Sequence, residues 1–180
     1  MAAAETYRFR RAAPNDLPMI RRWLRVPEVA RWWGDPAEQI ELITEDIELP
    51  EMATLIVSYR NRPFAFAQHY DAHQWPQPHL SHLPKGTRCI DAFIGIPDMM
   101  GCGHGKMFLR LLAQMLIDRG APMVAIDPDP QNIRARKSYE AAGFKGNTEY
   151  ETGDGPCVLM LFNPDGDQAF LTPDRNVSTF

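Results

Sequence analysis

The chain has 180 residues, 44% of them hydrophobic and 23% charged, with 19 Lys and Arg against 23 Asp and Glu for a formal charge of -4. That length fits one domain with a sizeable core and that composition fits a globular chain, which excludes linked domains and wholesale disorder. A mildly acidic chain without a basic run cannot neutralise the phosphates of a nucleic acid, which removes that class of partner.

Tyr7–Arg11 alternates aromatic and charged residues and predicts an edge strand. After Pro14, Asn15 is placed to cap a helix whose apolar face is Leu17, Ile20, Trp23 and Leu24. Asp35, Pro36 and Glu38 look like a capping box with Pro at the first helical position, and Ile40, Ile43 and Ile47 mark one face of a helix that Pro50 ends. Residues 54–59 and 64–70 predict an antiparallel hairpin across Arg60, Asn61, Arg62 and Pro63. Residues 71–88, rich in Pro and His, read as a long loop that is functional or mobile. Residues 89–96 form a third central strand, followed by a glycine-rich turn and an apolar-periodic helix over 106–119 that Gly120 stops. A short buried strand at 123–126, a helix at 132–142 closed by Gly143, and strands at 144–150 and 158–162 around a turn at 153–156 complete a single unit over 1–162. Residues 163–180 are a polar tail without periodicity.

Cys89, Cys102 and Cys157 are odd in number and form no CxxC pair, so neither a disulfide framework nor a zinc knuckle is expected, and a cytoplasmic location is. The first residues lack an apolar leader and no stretch approaches about 18 apolar residues, so no membrane partner is expected either. His69, His73, His79, His82 and His104 lie without Cys or paired carboxylates at ligand spacing, so no metal is expected. His69 or His79 remains an alternative base.

Met100-Gly101-Cys102-Gly103-His104-Gly105-Lys106 lies between a strand and a helix. Glycines let consecutive backbone N–H groups converge, and a helix N-terminus adds partial positive charge, which together suit a phosphate or pyrophosphate. A plain tight turn is the competing reading. Walker spacing is absent, and the preceding hairpin argues against a dinucleotide fold.

Downstream, the run from Asp127 to Phe144 resembles the second signature of the GNAT family of acyl-coenzyme A N-acyltransferases, carried by Asn132, Ala135, Tyr139, Gly143 and Phe144. Gly103-His104-Gly105 is similar to the end of that family's pyrophosphate loop, with Met100 where Arg or Gln is usual. Residues 27–35 with Val29, Trp32, Trp33 and Gly34, together with Phe66-Ala67-Gln68, Ile90-Asp91 and Asp154-Gly155-Pro156, extend the resemblance to the aminoglycoside 6'-N-acetyltransferases over residues 7–162. The Trp-Trp-Gly and Gln segments are also similar to acyltransferases of hydroxamate-siderophore synthesis. The resemblance implies an α/β (α+β) fold: a central mixed, mostly antiparallel twisted sheet flanked by helices, with strands splayed at the acyl-CoA site. It implies acetyl-CoA as co-substrate, no metal, and a small, cationic amine acceptor, in a monomer or homodimer.

Acyl transfer to an amine needs a base, a positioned thioester, oxyanion stabilisation and a proton for the leaving thiolate. Asp91 is the candidate base, since it interrupts an apolar strand and matches an active-site Asp of the aminoglycoside enzymes; a structural ion pair with Arg88 is the other reading. By resemblance Tyr139 is the general acid, core packing being the alternative; Leu159 stands where some relatives carry a Tyr proposed for that role. Backbone groups of Phe93, Ile94 and Ile96 are expected to receive the pantetheine arm, Cys102, Gly103, His104, Gly105 and Lys106 the pyrophosphate, and Asn132 and Ala135 the adjoining part of the coenzyme. Trp32, Trp33 and Trp75 with Asp35, Asp71 and Asp154 are candidates for the acceptor pocket, because aromatic faces and carboxylates together suit a polycation. The expected function is acetyl transfer to an aminoglycoside-like amine. A siderophore-type acyltransferase and a non-catalytic acyl-CoA-binding module are the alternatives.

Overall fold

Alternation at the start of the sequence produces an edge strand, β1 (Tyr7–Arg11), which buries Tyr7 and leaves Arg8 and Arg10 exposed. The computed structural model describes residues 7–162, and the polar tail read at 163–180 lies outside them. A short 3-10 turn, Pro14–Asp16, leads into α1 (Leu17–Leu24). The organising residue there is Asp16 and not Asn15. Its carboxylate accepts two hydrogen bonds from Arg10, at 2.6 and 2.7 Å, and one from the Ala13 N–H, and the Arg10 contact holds its pKa below the ordinary carboxylate range.

The apolar pattern gives no sign of α2 (Pro27–Trp33), because seven residues are too few to repeat a period. Pro27 at its start and Gly34 at its end, with φ of +86°, bound it. The next helix, α3 (Pro36–Glu48), starts as its capping signal predicts, Asp35 Oδ1 accepting from the N–H groups of Ala37 and Glu38 at 2.9 and 3.1 Å.

Strands β2 (Ala53–Tyr59) and β3 (Arg62–Asp71) form the predicted hairpin, with a tighter turn: only Arg60 and Asn61 lie between them, both at positive φ, the geometry of a two-residue turn. The strand predicted at 89–96 is β4 (Arg88–Ile94), and α4 (His104–Asp118) begins two residues earlier than its apolar period suggests. Then follow β5 (Val124–Ile126), α5 (Ile133–Ala142), β6 (Lys145–Thr152) and β7 (Gly155–Phe162).

These strands make one seven-stranded sheet in the order β1-β2-β3-β4-β5-β7-β6, antiparallel throughout except for β4 with β5. Helices cover both faces. One face carries Leu55, Val57, Ala65, Ala67 and Ile90 against Phe108, Leu109 and Leu112 of α4. On the other, Ile56, Phe66 and Phe93 meet Ile20, Trp23, Leu24, Val29, Ile40 and Ile43 of the first three helices. The segment 72–87 is no free loop: Ala72, Leu80 and Leu83 are buried with Cys89, Met123, Ala125, Leu159 and Leu161 in a third cluster. Among the described residues no helix is long and apolar enough to cross a membrane.

Candidate active site

The parallel pair β4–β5 is joined at only two positions, Arg88↔Val124 and Cys89↔Ala125. Beyond Cys89 the two strands part, and the outer edge of β4 from Ile90 to Ile94 faces a gap instead of a strand. Two neighbouring chain segments leave the sheet at this point, which is where ligands collect in open sheets. On its other edge β4 is fully paired with β3, and the Gly95 N–H donates to the Phe64 carbonyl at 2.8 Å. Antiparallel ladders alternate, so the backbone groups of Asp91 and Phe93 also turn toward β3, while those of Ala92 and Ile94 turn into the gap. This corrects two expectations. Phe93 lines the cavity but its N–H turns toward β3, and Ile96 lies past the strand end, outside the walls of the cavity.

A cavity of about 310 Å³ fills the gap. Trp32 and Trp33 of α2 close one side, Ala92, Phe93 and Ile94 of β4 form its floor, and Gly103, Gly105, Lys106, Asn132, Ala135, Ser138 and Tyr139 bring α4 and α5 to the other. Gly101 and Gly103, at φ of +71° and +85°, let the turn before α4 fold back on itself. Gly105 sets the approach of the two helices, since a Cβ there would stand 2.8 Å from Ser138 Oγ. The first backbone N–H groups of the 15-residue α4 thus open onto the cavity with the positive end of the helix behind them. Lys106, Arg134 and Lys137 add cationic groups at the rim. The last two escape a motif search, although the basic run on α5 was the available signal.

Cys102 and His104 do not project side chains into this cavity. The Cys102 thiol is exposed and directed at the carbonyls of Asp98 and Met100, while His104 Nδ1 lies 2.7 Å from the Tyr7 hydroxyl with its ring against Tyr59 and Phe64. His104 ties the start of α4 to the sheet edge and offers a ligand only its backbone. Asn132 lines the cavity and also caps α5, its Oδ1 accepting from Ala135 N–H at 3.2 Å.

Asp91 lies half-buried on the face of the sheet beneath α2, where Gln68, directly opposite in register, donates to its Oδ2 at 3.0 Å. Loss of water around it pushes its pKa up to about 7, the charge of Asp127 adds to the rise, and the Gln68 hydrogen bond opposes it. The ion pair with Arg88 does not form. Arg88 falls on the opposite face and binds His69 Nδ1 at 2.9 Å, and burial with nearby arginines pulls His69 down to about 4. A group titrating near 7 can take a proton from an ammonium at neutral pH. Tyr139 is half-buried at the cavity wall, and burial followed by the charges of Asp91 and Asp127 pushes its phenol well above its ordinary value, so it stays protonated. Among the described residues its hydroxyl has no hydrogen-bond partner, which leaves it available to a ligand.

A second polar region adjoins Asp91. The charge of Asp91, then burial, then the charges of Cys89, Asp127 and Asp154 drive the Tyr70 phenol far above its ordinary pKa. Trp75 stands edge-on to Tyr70 at 5.4 Å between centroids. Of the residues read as an acceptor pocket, Trp75 and Asp154 therefore gather here and Trp32 and Trp33 at the cavity. Asp35 and Asp71 do not join them: Asp35 caps α3, and Asp71 Oδ1 accepts from the His73 N–H at 2.8 Å in a turn. Asp127 is the functional candidate that motif matching passes over. It follows directly after β5, at the carboxyl end of the parting strands.

A model of the acetyltransferase (GNAT) domain family matches residues 12–152. The aminoglycoside N(6')-acetyltransferase type 1 of Klebsiella pneumoniae is 29% identical over 160 residues, covering 82% of this chain and 78% of that one. A kanamycin resistance protein of Rhizobium radiobacter is 36% identical over 77 residues, 42% of this chain and 71% of its own length. The crystal structure of aminoglycoside acetyltransferase AAC(6')-Ib in complex with coenzyme A and kanamycin superposes with a TM-score of 0.79 at 27% identity, covering 89% of this chain and 96% of that one. The parted strands, the glycine turn at the head of α4 and the match across most of the sequence have one explanation: the chain belongs to the GNAT acetyltransferase family.

Proposed function

We propose that the chain transfers the acetyl group of acetyl-CoA to a primary amine of an aminoglycoside-like polycation, with Asp91 as base and Tyr139 as proton donor. The observation that carries this reading is Asp91 itself, next in the strand to the cavity-lining Ala92 though not in the wall, desolvated and brought into the neutral range by burial and the charge of Asp127. Acetyl-CoA supplies the activated thioester. For its phosphates the chain offers the N–H groups of α4 and the side chains of Lys106, Arg134 and Lys137; for its extended arm it offers the free edge of β4 at Ala92 and Ile94.

The acidic side chains that act on Tyr70, Asp154 foremost, steer the cationic acceptor in. Asp91 removes one proton from the ammonium, and the neutral nitrogen attacks the thioester carbon. Ile94 N–H, turned into the gap, lies where it can hydrogen-bond the carbonyl oxygen as charge develops. The carbon–sulfur bond then breaks as Tyr139 donates its proton to the departing thiolate, the second nitrogen proton passes to the tyrosinate so formed, and Asp91 releases its proton to solvent. The siderophore-type alternative fits less well, because an acceptor carrying its own carboxylate meets the same acidic side chains. A non-catalytic binding module has no use for a carboxylate held near neutrality.

Asp91→Asn tests the assignment. It keeps the shape and a hydrogen-bond partner for Gln68 but cannot take the proton. Turnover with kanamycin as acceptor should fall about 10²- to 10⁴-fold with acetyl-CoA affinity nearly unchanged. Unchanged turnover would remove Asp91 from the mechanism.

A further inference from the structure

Three groups from distant parts of the chain meet where the 72–87 segment covers the sheet. His79 of that segment, Asp127 after β5 and Cys157 on β7 place a ring nitrogen, a carboxylate oxygen and a thiol sulfur within 4.8 Å of one another. We propose that these three side chains bind a zinc-class divalent cation, which clips the proline-rich 72–87 segment to the sheet. No sequence spacing announces such a site, because 48 residues separate the first two ligands and 30 more precede the third.

The cluster is buried and incompletely satisfied, which is the condition an ion relieves. His79 Nε2 lies 2.7 Å from Asp127 Oδ2, so an ion held by both binds through Nε2, and His79 is only 4% exposed. The buried Cys157 thiol makes no hydrogen bond among the described residues. A bound dication takes that sulfur as thiolate. The Cys157 S–H bond gives way to a sulfur–metal bond, the proton passes to solvent, and no electron changes hands.

The donor set fits the borderline-soft preference of zinc for sulfur, nitrogen and one carboxylate oxygen. Asp127 is the partly accessible member, which leaves water the fourth position of a tetrahedron. Small movements suffice, since ligands of a four-coordinate zinc stand roughly 3 to 4 Å apart. Hard cations such as magnesium are disfavoured by the sulfur and the imidazole.

The test uses the full chain stripped with chelator and titrated with Co2+. One equivalent should bind and give a thiolate-to-cobalt charge-transfer band, which added Zn2+ abolishes. Zn2+ at about a hundredfold excess over Kd should raise the melting temperature by roughly 5 °C. Cys157→Ser should remove the band, and His79→Gln should weaken binding by a factor of at least about ten. Circular dichroism and acetyl-CoA affinity of the metal-free variants verify that both are folded. Cys102→Ser, at an exposed thiol remote from the cluster, should leave the band intact. No stoichiometric Co2+ or Zn2+ binding by the wild type overturns the proposal, as does a band that survives Cys157→Ser or disappears with Cys102→Ser.

Discussion

Asp91 illustrates how one residue's chemistry is set by its neighbours rather than by its type. The carboxylate ordinarily titrates at 3.8, yet here it holds its proton to about 7 because water is displaced and Asp127 repels its charge. As the proposed base it works only when ionised. The acid limb of the kcat/KM profile should therefore break near pH 7 and fall about tenfold per unit below it, and the break should vanish from the residual activity of Asp91→Asn. A break that persists in the variant assigns it to another group. Stability follows the opposite sense. The folded chain binds a proton that the unfolded chain has released between pH 3.8 and about 7, so this group's stabilisation is full below 3.8 and is lost as pH rises to 7. Asp91→Asn should melt higher than wild type at pH 8, by on the order of 1–4 kcal/mol, and the difference should shrink toward pH 4. Identical melting at both pH values would show that the carboxylate carries no such penalty.

At the scale of elements, the site exists because β4 loses its neighbour after Cys89 and the chain is then turned abruptly toward α4. Gly95 lets Trp23 of α1 pack directly against that turn. A Cβ there would lie 2.1 to 2.6 Å from Cγ, Cδ2 and Cβ of Trp23 on α1, a core side chain that is 4% exposed and has no room to retreat. Gly95→Ala should destabilise the fold by about 1–3 kcal/mol, read by thermal or urea unfolding. Because the strain falls beside Ala92 to Ile94, weaker acetyl-CoA binding should accompany it. A variant as stable as wild type would show that Trp23 repacks freely. The tie between His104 and Tyr7 serves the other end of the same segment, joining the first residue of α4 to the edge strand.

Across the whole molecule, charge is sorted rather than merely summed. The net -4 conceals a cationic rim of Lys106, Arg134 and Lys137 on the α4–α5 side of the cavity and a group of carboxylates that act on Tyr70. Steering of a polycation by exposed carboxylates is screened by salt, with a Debye length of about 10 Å at 0.1 M. Raising ionic strength from about 0.05 to 0.5 M should raise KM for kanamycin several-fold while leaving that for a monoamine acceptor nearly constant. Equal salt dependence for the two acceptors would contradict recognition by the carboxylate group.

Much of this protein is legible in the sequence, because the signals involved are local. Alternation marks β1, a capped apolar period marks α3, glycines bracket α4, and Asn132 and Gly143 bound α5, so the order of elements follows from neighbours a few residues apart. The short α2 escapes because seven residues repeat no period, and the extent of the 72–87 packing escapes because its partners, Cys89, Met123 and Leu161, come later in the chain. Asp91 and Tyr139 are readable through their resemblance, whereas the pairing of Asp91 with Gln68 instead of Arg88 depends on which face of β4 each side chain takes. Asp35 and Asp71 are drawn into a helix cap and a turn, while Asp127, which carries no motif of its own, is brought beside Asp91, His79 and Cys157. Sequence by itself determined the elements and the chemistry available to them, since propensity and capping act along the chain. Only the tertiary structure decided which carboxylates share one site, because desolvation and Coulomb interaction depend on distance through space.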